Sequence, residues 1–206
     1  PISFIWSYDT RQNARADRDY LNRSLFFRVA TGEVLSVAYI GLRKGRTIMS
    51  ISVGDKLPEA TFMTMGASGP EPVKGSEFFA GKTVALFAVP GAFTPTCSAK
   101  HLPGFKEKAD ELRSKGVDAI ACTSVNDVFV MNAWGKDQNV GEDIVMLADG
   151  NGAFAKALGL ELDGSGFGMG SRSQRYSMVV KDGVVEKLNV EAGPSFEVSS
   201  ADYMLA

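Results

Sequence analysis

From Lys82 to Val125 the chain changes its hydrophobic period twice. KTVALFAV is a continuous apolar run of strand length, HLPGFKEKADELRSKG carries a helical pattern, and VDAIACTSV is again a short apolar run. Strand, helix and strand in that order commit this part of the chain to a layered α/β architecture. The alternation extends both ways. ATFMTM reads as a strand upstream; downstream come a helix from Asp127 to about Lys136, a short strand in DIVMLAD, a helix in GAFAKALGL, and a hairpin, RYSMVVKDGVVEKLNV, turning at Asp182-Gly183. SSADYMLA reads as a capped helix. Alternating elements early and an antiparallel hairpin late predict a mixed central β-sheet flanked by helices on both faces.

The chain's 206 residues and 45% hydrophobic content suit one ordinary domain plus an extension. The division is expected at Met49, the first methionine, giving an N-terminal extension over 1–48 and a domain over 49–206. The extension carries eight basic residues against four acidic ones, a net +4 against −6 for the rest. An arginine-rich presequence would be poor in acid, and Asp9, Asp17, Asp19 and Glu33 weigh against that reading. Within it, SLFFRVATGEVLSVAYIGL has the pattern of a strand pair. A net charge of −2 and a pI of about 5.5 leave no general basic field for nucleic acid or anionic lipid. No apolar run approaches the roughly 20 residues needed to cross a bilayer, so neither nucleic acid nor membrane is an expected partner. The two cysteines, Cys97 and Cys122, form no disulfide framework and no C-x-x-C pair. A reducing, cytoplasmic setting is the expectation.

One stretch is unusually stiff. VPGAFTPTCSAKHLPGF holds three prolines, two glycines and one cysteine directly after an apolar strand. Pro90 and Pro95 fix their own φ and bias the residues before them, so the path into Cys97 is restricted. Cys97 is expected in the first turn of the following helix, with Thr94 to Thr96 around the cap. The partial positive charge there favours thiolate, the nucleophilic form. A buried structural cysteine is the alternative, but Cys97 lies outside the apolar run, among Thr, Pro and Ser.

Pro90, Thr94 and Cys97 together spell P-x-x-x-T-x-x-C, the active-site signature of the peroxiredoxins. With SVNDVFVMNAWG, LADGNGAFAKALGLELD, RSQRYSMVVKDGVV and NVEAGPSFEVSSADYML, the chain from about Ile51 to Ala206 resembles the plant type II and animal type V class. The resemblance implies a thioredoxin-like fold and reduction of hydrogen peroxide and alkyl hydroperoxides, with no cofactor. It further implies that Cys97 is the nucleophile, that Thr94 and backbone N–H groups face the leaving oxygen, and that Pro90 shields the sulfur. Arg175, opening RYSMVV, is implied as the fixed cation, with Arg172 as the competing choice.

Oxidation leaves a sulfenic acid that must be reduced. Animal type V members carry a resolving cysteine near the C-terminal helix, whereas GPSFEVSSADYM has none. Cys122 matches the second cysteine of the plant type II proteins, yet it ends an apolar strand, as a structural thiol would. An external thiol is therefore expected, glutathione with glutaredoxin or else thioredoxin, acting through a mixed disulfide. The resemblance also implies a homodimer. A noncatalytic redox-sensing module that signals by mixed disulfide is the competing function.

Three other features carry less. His101, the only histidine, lies four residues after Cys97 and invites a cysteine-hydrolase reading. It directly precedes Leu102-Pro103, where helix geometry is disturbed, so packing or capping is the expected role. The glycines of DGSGFGMGSRS precede a strand, the wrong context for a phosphate cradle, and read as a mobile loop near the site. Phe93, Phe129, Trp134 and Phe167 are expected as core or interface residues.

Overall fold

The computed structural model describes residues 25–28, 34–37 and 50–206. The chain divides between Arg46 and Thr47 into two units. In the first, β1 (Leu25–Arg28) and β2 (Val34–Val37) pair antiparallel, Leu25 opposite Val37, as a two-stranded sheet of their own. This is the strand pair expected in SLFFRVATGEVLSVAYIGL; the presequence question lies outside the described residues.

In the second unit the strands are β3 (Thr61–Gly66), β4 (Gly69–Lys74), β5 (Thr83–Ala88), β6 (Ala119–Ser124), β7 (Val145–Ala148), β8 (Glu161–Asp163), β9 (Ser171–Ser173), β10 (Tyr176–Lys181) and β11 (Val184–Val190). Seven of them form one sheet in the order β11-β10-β5-β6-β7-β3-β4. β5, β6 and β7 run parallel, while β10 on one side and β3 on the other are antiparallel to them. The sheet is mixed, as the sequence pattern predicts. β8 and β9 pair separately.

Alternation along β5 builds both layers of core. Ala85 and Phe87 face one cluster, with Phe105, Leu112, Ile120, Cys122, Met131 and Trp134; Val84, Leu86 and Ala88 face another, with Phe62, Phe154, Leu158, Tyr176 and Met178. The first cluster is covered by α2 (Leu102–Glu107), α3 (Ala109–Ser114), α4 (Val128–Asp137) and α6 (Ala201–Leu205); the second is flanked by α1 (Gly75–Phe78) and α5 (Ala153–Ala157). Burying both faces explains why β5 reads as an unbroken apolar run.

The helix expected through HLPGFKEKADELRSKG is interrupted at Lys108, between α2 and α3, and is preceded by a π-helical turn over Cys97–His101. Pro103 has no N–H to continue the ladder, and Leu102 N–H reaches back five residues to the Cys97 carbonyl. The β10–β11 turn has φ +49 at Asp182 and +77 at Gly183, the left-handed pair that a two-residue hairpin requires.

Candidate active site

Topology gathers the site at one edge of the sheet. The loop from Val89 to Cys97 leaves the carboxyl end of β5, and Asn126 follows the carboxyl end of its parallel neighbour β6. Because β10 is antiparallel to β5, with Tyr176 opposite Ala88, its first residues arrive at the same edge. β11 reverses again and brings Val190 beside Tyr176. Arg175 and Glu191 therefore flank the region of the Cys97 loop, although far downstream in sequence. Open α/β sheets place their sites at such carboxyl edges.

The loop itself is fixed from several directions. Phe93 takes φ +61, a left-handed conformation that costs a bulky residue on the order of 1–3 kcal/mol. Asn126 Oδ1 opposes that cost by accepting from Ala92 N–H at 3.0 Å and from Ser124 Oγ at 2.8 Å. At Gly91 a Cβ would lie 3.2 Å from Thr94 Cγ2 and 3.3 Å from Met169 Cε, so the close packing favours glycine. Pro90, half-buried, lies two residues beyond the end of β5. Pro95 and Thr96 are helical, and the Thr94 carbonyl accepts from Ser98 N–H at 3.0 Å, which puts Cys97 in the first turn as expected. Ser98 Oγ in turn accepts from the buried Trp134 Nε1 at 3.0 Å, tying this turn to α4.

Cys97 is fully buried, and its Sγ lies 2.8 Å from Thr94 Oγ1. The same hydroxyl is 2.9 Å from the Gly91 carbonyl. One hydroxyl has one hydrogen. With a thiol, Cys97 donates to Thr94, which donates to Gly91; with a thiolate, the Thr94 hydrogen turns to the sulfur. The threonine is thus a donor that becomes available as the sulfur ionises.

The structure joins Arg175 to His101, and among the described residues to no carboxylate. Arg175 is buried, and its Nη1 lies 3.1 Å from His101 Nδ1. His101 Nε2 lies 3.0 Å from the Ser199 carbonyl. Arginine only donates and a carbonyl only accepts, so the ring carries its hydrogen on Nε2 and its lone pair on Nδ1. Burial, and then the Arg175 charge, push the imidazole from 6.5 to about 3, which keeps it neutral. Phe87, Phe105 and Phe196 surround the ring, with centroids 4.9, 5.7 and 5.0 Å away. The packing role expected for His101 is present. Its contact with Arg175 was not legible in the sequence, because the partner lies 74 residues away. With both nitrogens engaged it has no lone pair for a hydrolase base.

Arg172 is used differently. Its Nε donates to the Met169 carbonyl at 2.8 Å and its Nη1 to the Val125 carbonyl at 3.0 Å, bracing one loop against another. The glycine-rich stretch is the hairpin between β8 and β9, closed by Gly164 N–H to the Gly170 carbonyl at 2.8 Å. A Cβ on Gly164 would stand 2.9 Å from that carbonyl oxygen, so close backbone approach explains this glycine. Cys122 is buried on the same face of the sheet as Cys97, and its thiol is pushed well above the ordinary range by burial and by Cys97. Both cysteines are free. Of the four aromatics, only Trp134 is core; Phe93, Phe129 and Phe167 are 53%, 64% and 87% exposed.

Sequence reasoning also missed Asn126 and Glu191. The first could have been suspected from SVND, where a polar residue separates a strand end from the helix-capping Asp127. Glu191 is a buried carboxylate whose Oε1 accepts from Glu197 N–H at 2.7 Å, Ser199 N–H at 2.8 Å and Ser199 Oγ at 2.8 Å. Burial opposes its charge, but these bonds outweigh it and hold the carboxyl below the usual range.

The Redoxin family model matches residues 52–205. Peroxiredoxin-2E, chloroplastic, of Arabidopsis thaliana is 50% identical over 188 residues, covering 89% of this chain and 80% of its own. The hybrid peroxiredoxin hyPrx5 of Haemophilus influenzae is 48% identical over 160 residues, covering 76% of this chain and 66% of its own. Among solved structures, reduced Prx3 of Vibrio vulnificus in complex with hydrogen peroxide superposes with a TM-score of 0.73 at 58% identity, covering 75% of this chain and 97% of that one. A buried cysteine in a first helical turn, hydrogen-bonded to a threonine at the carboxyl edge of a thioredoxin-like sheet, thus meets sequence identity near one half, and the chain belongs to the peroxiredoxins, thiol-dependent peroxidases of the redoxin family.

Proposed function

We propose that Cys97 is the peroxidatic nucleophile, with Thr94, Pro90 and Arg175 completing its pocket. The observation that carries this reading is the 2.8 Å contact between Thr94 Oγ1 and Cys97 Sγ in the first helical turn. The thiolate attacks one peroxide oxygen; the S–O bond forms as the O–O bond breaks, and the leaving oxygen takes a proton to become water or an alcohol. Cys97 is left as the sulfenic acid. Negative charge moves from sulfur to the leaving oxygen, where the Thr94 hydroxyl and the Arg175 cation stabilise it. Preorganised donors of this kind are worth about 3–4 kcal/mol each in other enzymes. Pro90 shields the sulfur from water, which strengthens these interactions.

The sulfenic acid is recycled by an external thiol, glutathione with glutaredoxin in preference to thioredoxin. The attacking thiolate displaces hydroxide, released as water, and forms a mixed disulfide; a second thiol then releases Cys97. Burial and a raised pKa keep the Cys122 thiol protonated, which supports a one-cysteine cycle. Because Sγ is buried, a protein reductant reaches it only after the first turn opens. The exposed Phe93 and Phe129 support an interface with a second copy. Steady-state peroxide consumption with glutaredoxin and glutathione, run beside thioredoxin with its reductase, tests the reductant. Faster turnover with glutaredoxin is expected, and turnover with thioredoxin alone would contradict it.

A further inference from the structure

Four hydrogen bonds close a ring that begins and ends on Arg175. The Arg175 carbonyl accepts from Glu191 N–H at 3.0 Å, across the end of the β10–β11 ladder. Glu191 Oε1 accepts from Ser199 N–H at 2.8 Å. The Ser199 carbonyl accepts from His101 Nε2–H at 3.0 Å, and His101 Nδ1 accepts from Arg175 Nη1 at 3.1 Å. Backbone and guanidinium of one arginine are therefore held by the same circuit. Its members come from the turn that carries Cys97, from the two ends of the β10–β11 hairpin, and from the segment before α6. Among the described residues no carboxylate forms an ion pair with Arg175, and the Phe196 ring lies 5.8 Å from its Cζ.

The chemical consequence follows from the choice of a neutral acceptor. A carboxylate against Arg175 would hold it firmly but neutralise much of its field. A neutral imidazole holds it and leaves the charge uncompensated. An imidazole can play that part only if the other nitrogen keeps the hydrogen, which the Ser199 carbonyl enforces. Ser199 is in turn fixed by Glu191, through three bonds to a single oxygen including that from Glu197. The carboxylate thus fixes the segment through Glu197 and Ser199, and among the described residues it forms no ion pair with the guanidinium.

We infer that Glu191 is a positioning residue for the peroxide reaction: by clamping Ser199 it fixes the His101 tautomer and aims an uncompensated Arg175 charge at the Cys97 site. This rests on the peroxidatic reading of Cys97 given above. Glutamine at position 191 keeps an amide oxygen where Oε1 accepts, so the clamp survives loss of the charge. Alanine removes the acceptor, and aspartate withdraws it by one methylene.

The test is the second-order rate of Cys97 oxidation by hydrogen peroxide, with the thiol pKa of Cys97 taken from the pH profile of its alkylation. Glu191→Ala and Glu191→Asp are expected to slow oxidation at least about tenfold and to raise the thiol pKa, while Glu191→Gln stays within about twofold of wild type. Leu158→Ala, in the core on the opposite face, controls for general loss of stability and should leave both readouts near wild type. The aspartate variant carries the test if the alanine variant does not fold. Unchanged rates and thiol pKa in Glu191→Asp, or equal losses in Leu158→Ala, would overturn the inference. Wild-type protein whose Cys97 does not react with peroxide would overturn the peroxidatic reading itself, and the inference with it.

Discussion

At the scale of single residues, the site depends on who owns each hydrogen. Thr94 has one hydroxyl hydrogen and two neighbours, Gly91 O at 2.9 Å and Cys97 Sγ at 2.8 Å. In the proposed reaction, removing it leaves the sulfur and the leaving oxygen without that donor. Thr94→Val is therefore expected to lower kcat/KM for hydrogen peroxide by about 10²–10³, while Thr94→Ser, which keeps the hydroxyl, retains most of it. Initial rates at several peroxide concentrations give the comparison; equal losses in both variants would point to packing instead of donation. That Cys97 and Thr94 lie together was legible in the sequence because they stand only three positions apart and Pro95 restricts the path between them. His101 was legible only as a buried ring. Its partner is chosen by the antiparallel entry of β10, which no local pattern states.

At the scale of elements, the loops at the carboxyl edge are held by polar side chains more than by apolar packing. Asn126 joins the β5 loop to the β6 strand through Ala92 N–H and Ser124 Oγ. Asn126→Ala leaves a partly buried N–H without its acceptor, so it should cost about 1–3 kcal/mol and also slow peroxide reduction, because the Phe93 conformation loses its support. Urea unfolding beside the peroxide assay separates the two effects; a variant that loses stability but keeps full activity would show that the loop does not need this pin. Asp127 caps α4 through Phe129 and Val130 N–H, both at 2.9 Å, and Asp127→Ala should cost about 1 kcal/mol in the same measurement.

Strand and helix assignments were legible wherever apolar runs and turn residues agreed, as at Asp182-Gly183. GPEPVK carries no apolar run to mark it as a strand, yet it is β4, with Pro70 and Pro72 in it. β4 is the edge strand, and an edge strand tolerates residues without an N–H. The break at Lys108 was hidden for a different reason: apolar spacing continues across it while the hydrogen-bond ladder does not.

At the scale of the whole molecule, a neutral buried histidine links stability to pH. His101 titrates near 6.5 when unfolded and at about 3 when folded. Between those values the unfolded chain binds a proton that the folded one does not, so stability falls as pH falls, by about 1.4 kcal/mol per pH unit from this group. Glu191, with its carboxyl held low, acts in the same direction at lower pH, and Asp149, raised by burial, acts against it. His101→Asn removes only the histidine contribution. Wild type should therefore lose stability relative to this variant as pH is lowered from about 6.5 to about 4.5, read from urea midpoints at each pH. A constant difference would mean that His101 is protonated in the folded protein.

The mixed sheet with helices on both faces was written in the hydrophobic period of the chain and the place of Cys97 in a first helical turn in its flanking residues, whereas the ring through Arg175 exists only once β5, β10 and β11 are side by side. The central claim is that Cys97 alone carries the peroxide chemistry. It is tested most directly by treating reduced wild type, Cys97→Ser and Cys122→Ser with one equivalent of hydrogen peroxide and following peroxide loss together with peptide mass. Wild type and Cys122→Ser should consume the peroxide and gain one oxygen atom on the Cys97 peptide, and Cys97→Ser should do neither. Peroxide consumption by Cys97→Ser, with oxygen appearing on the Cys122 peptide, would contradict the account.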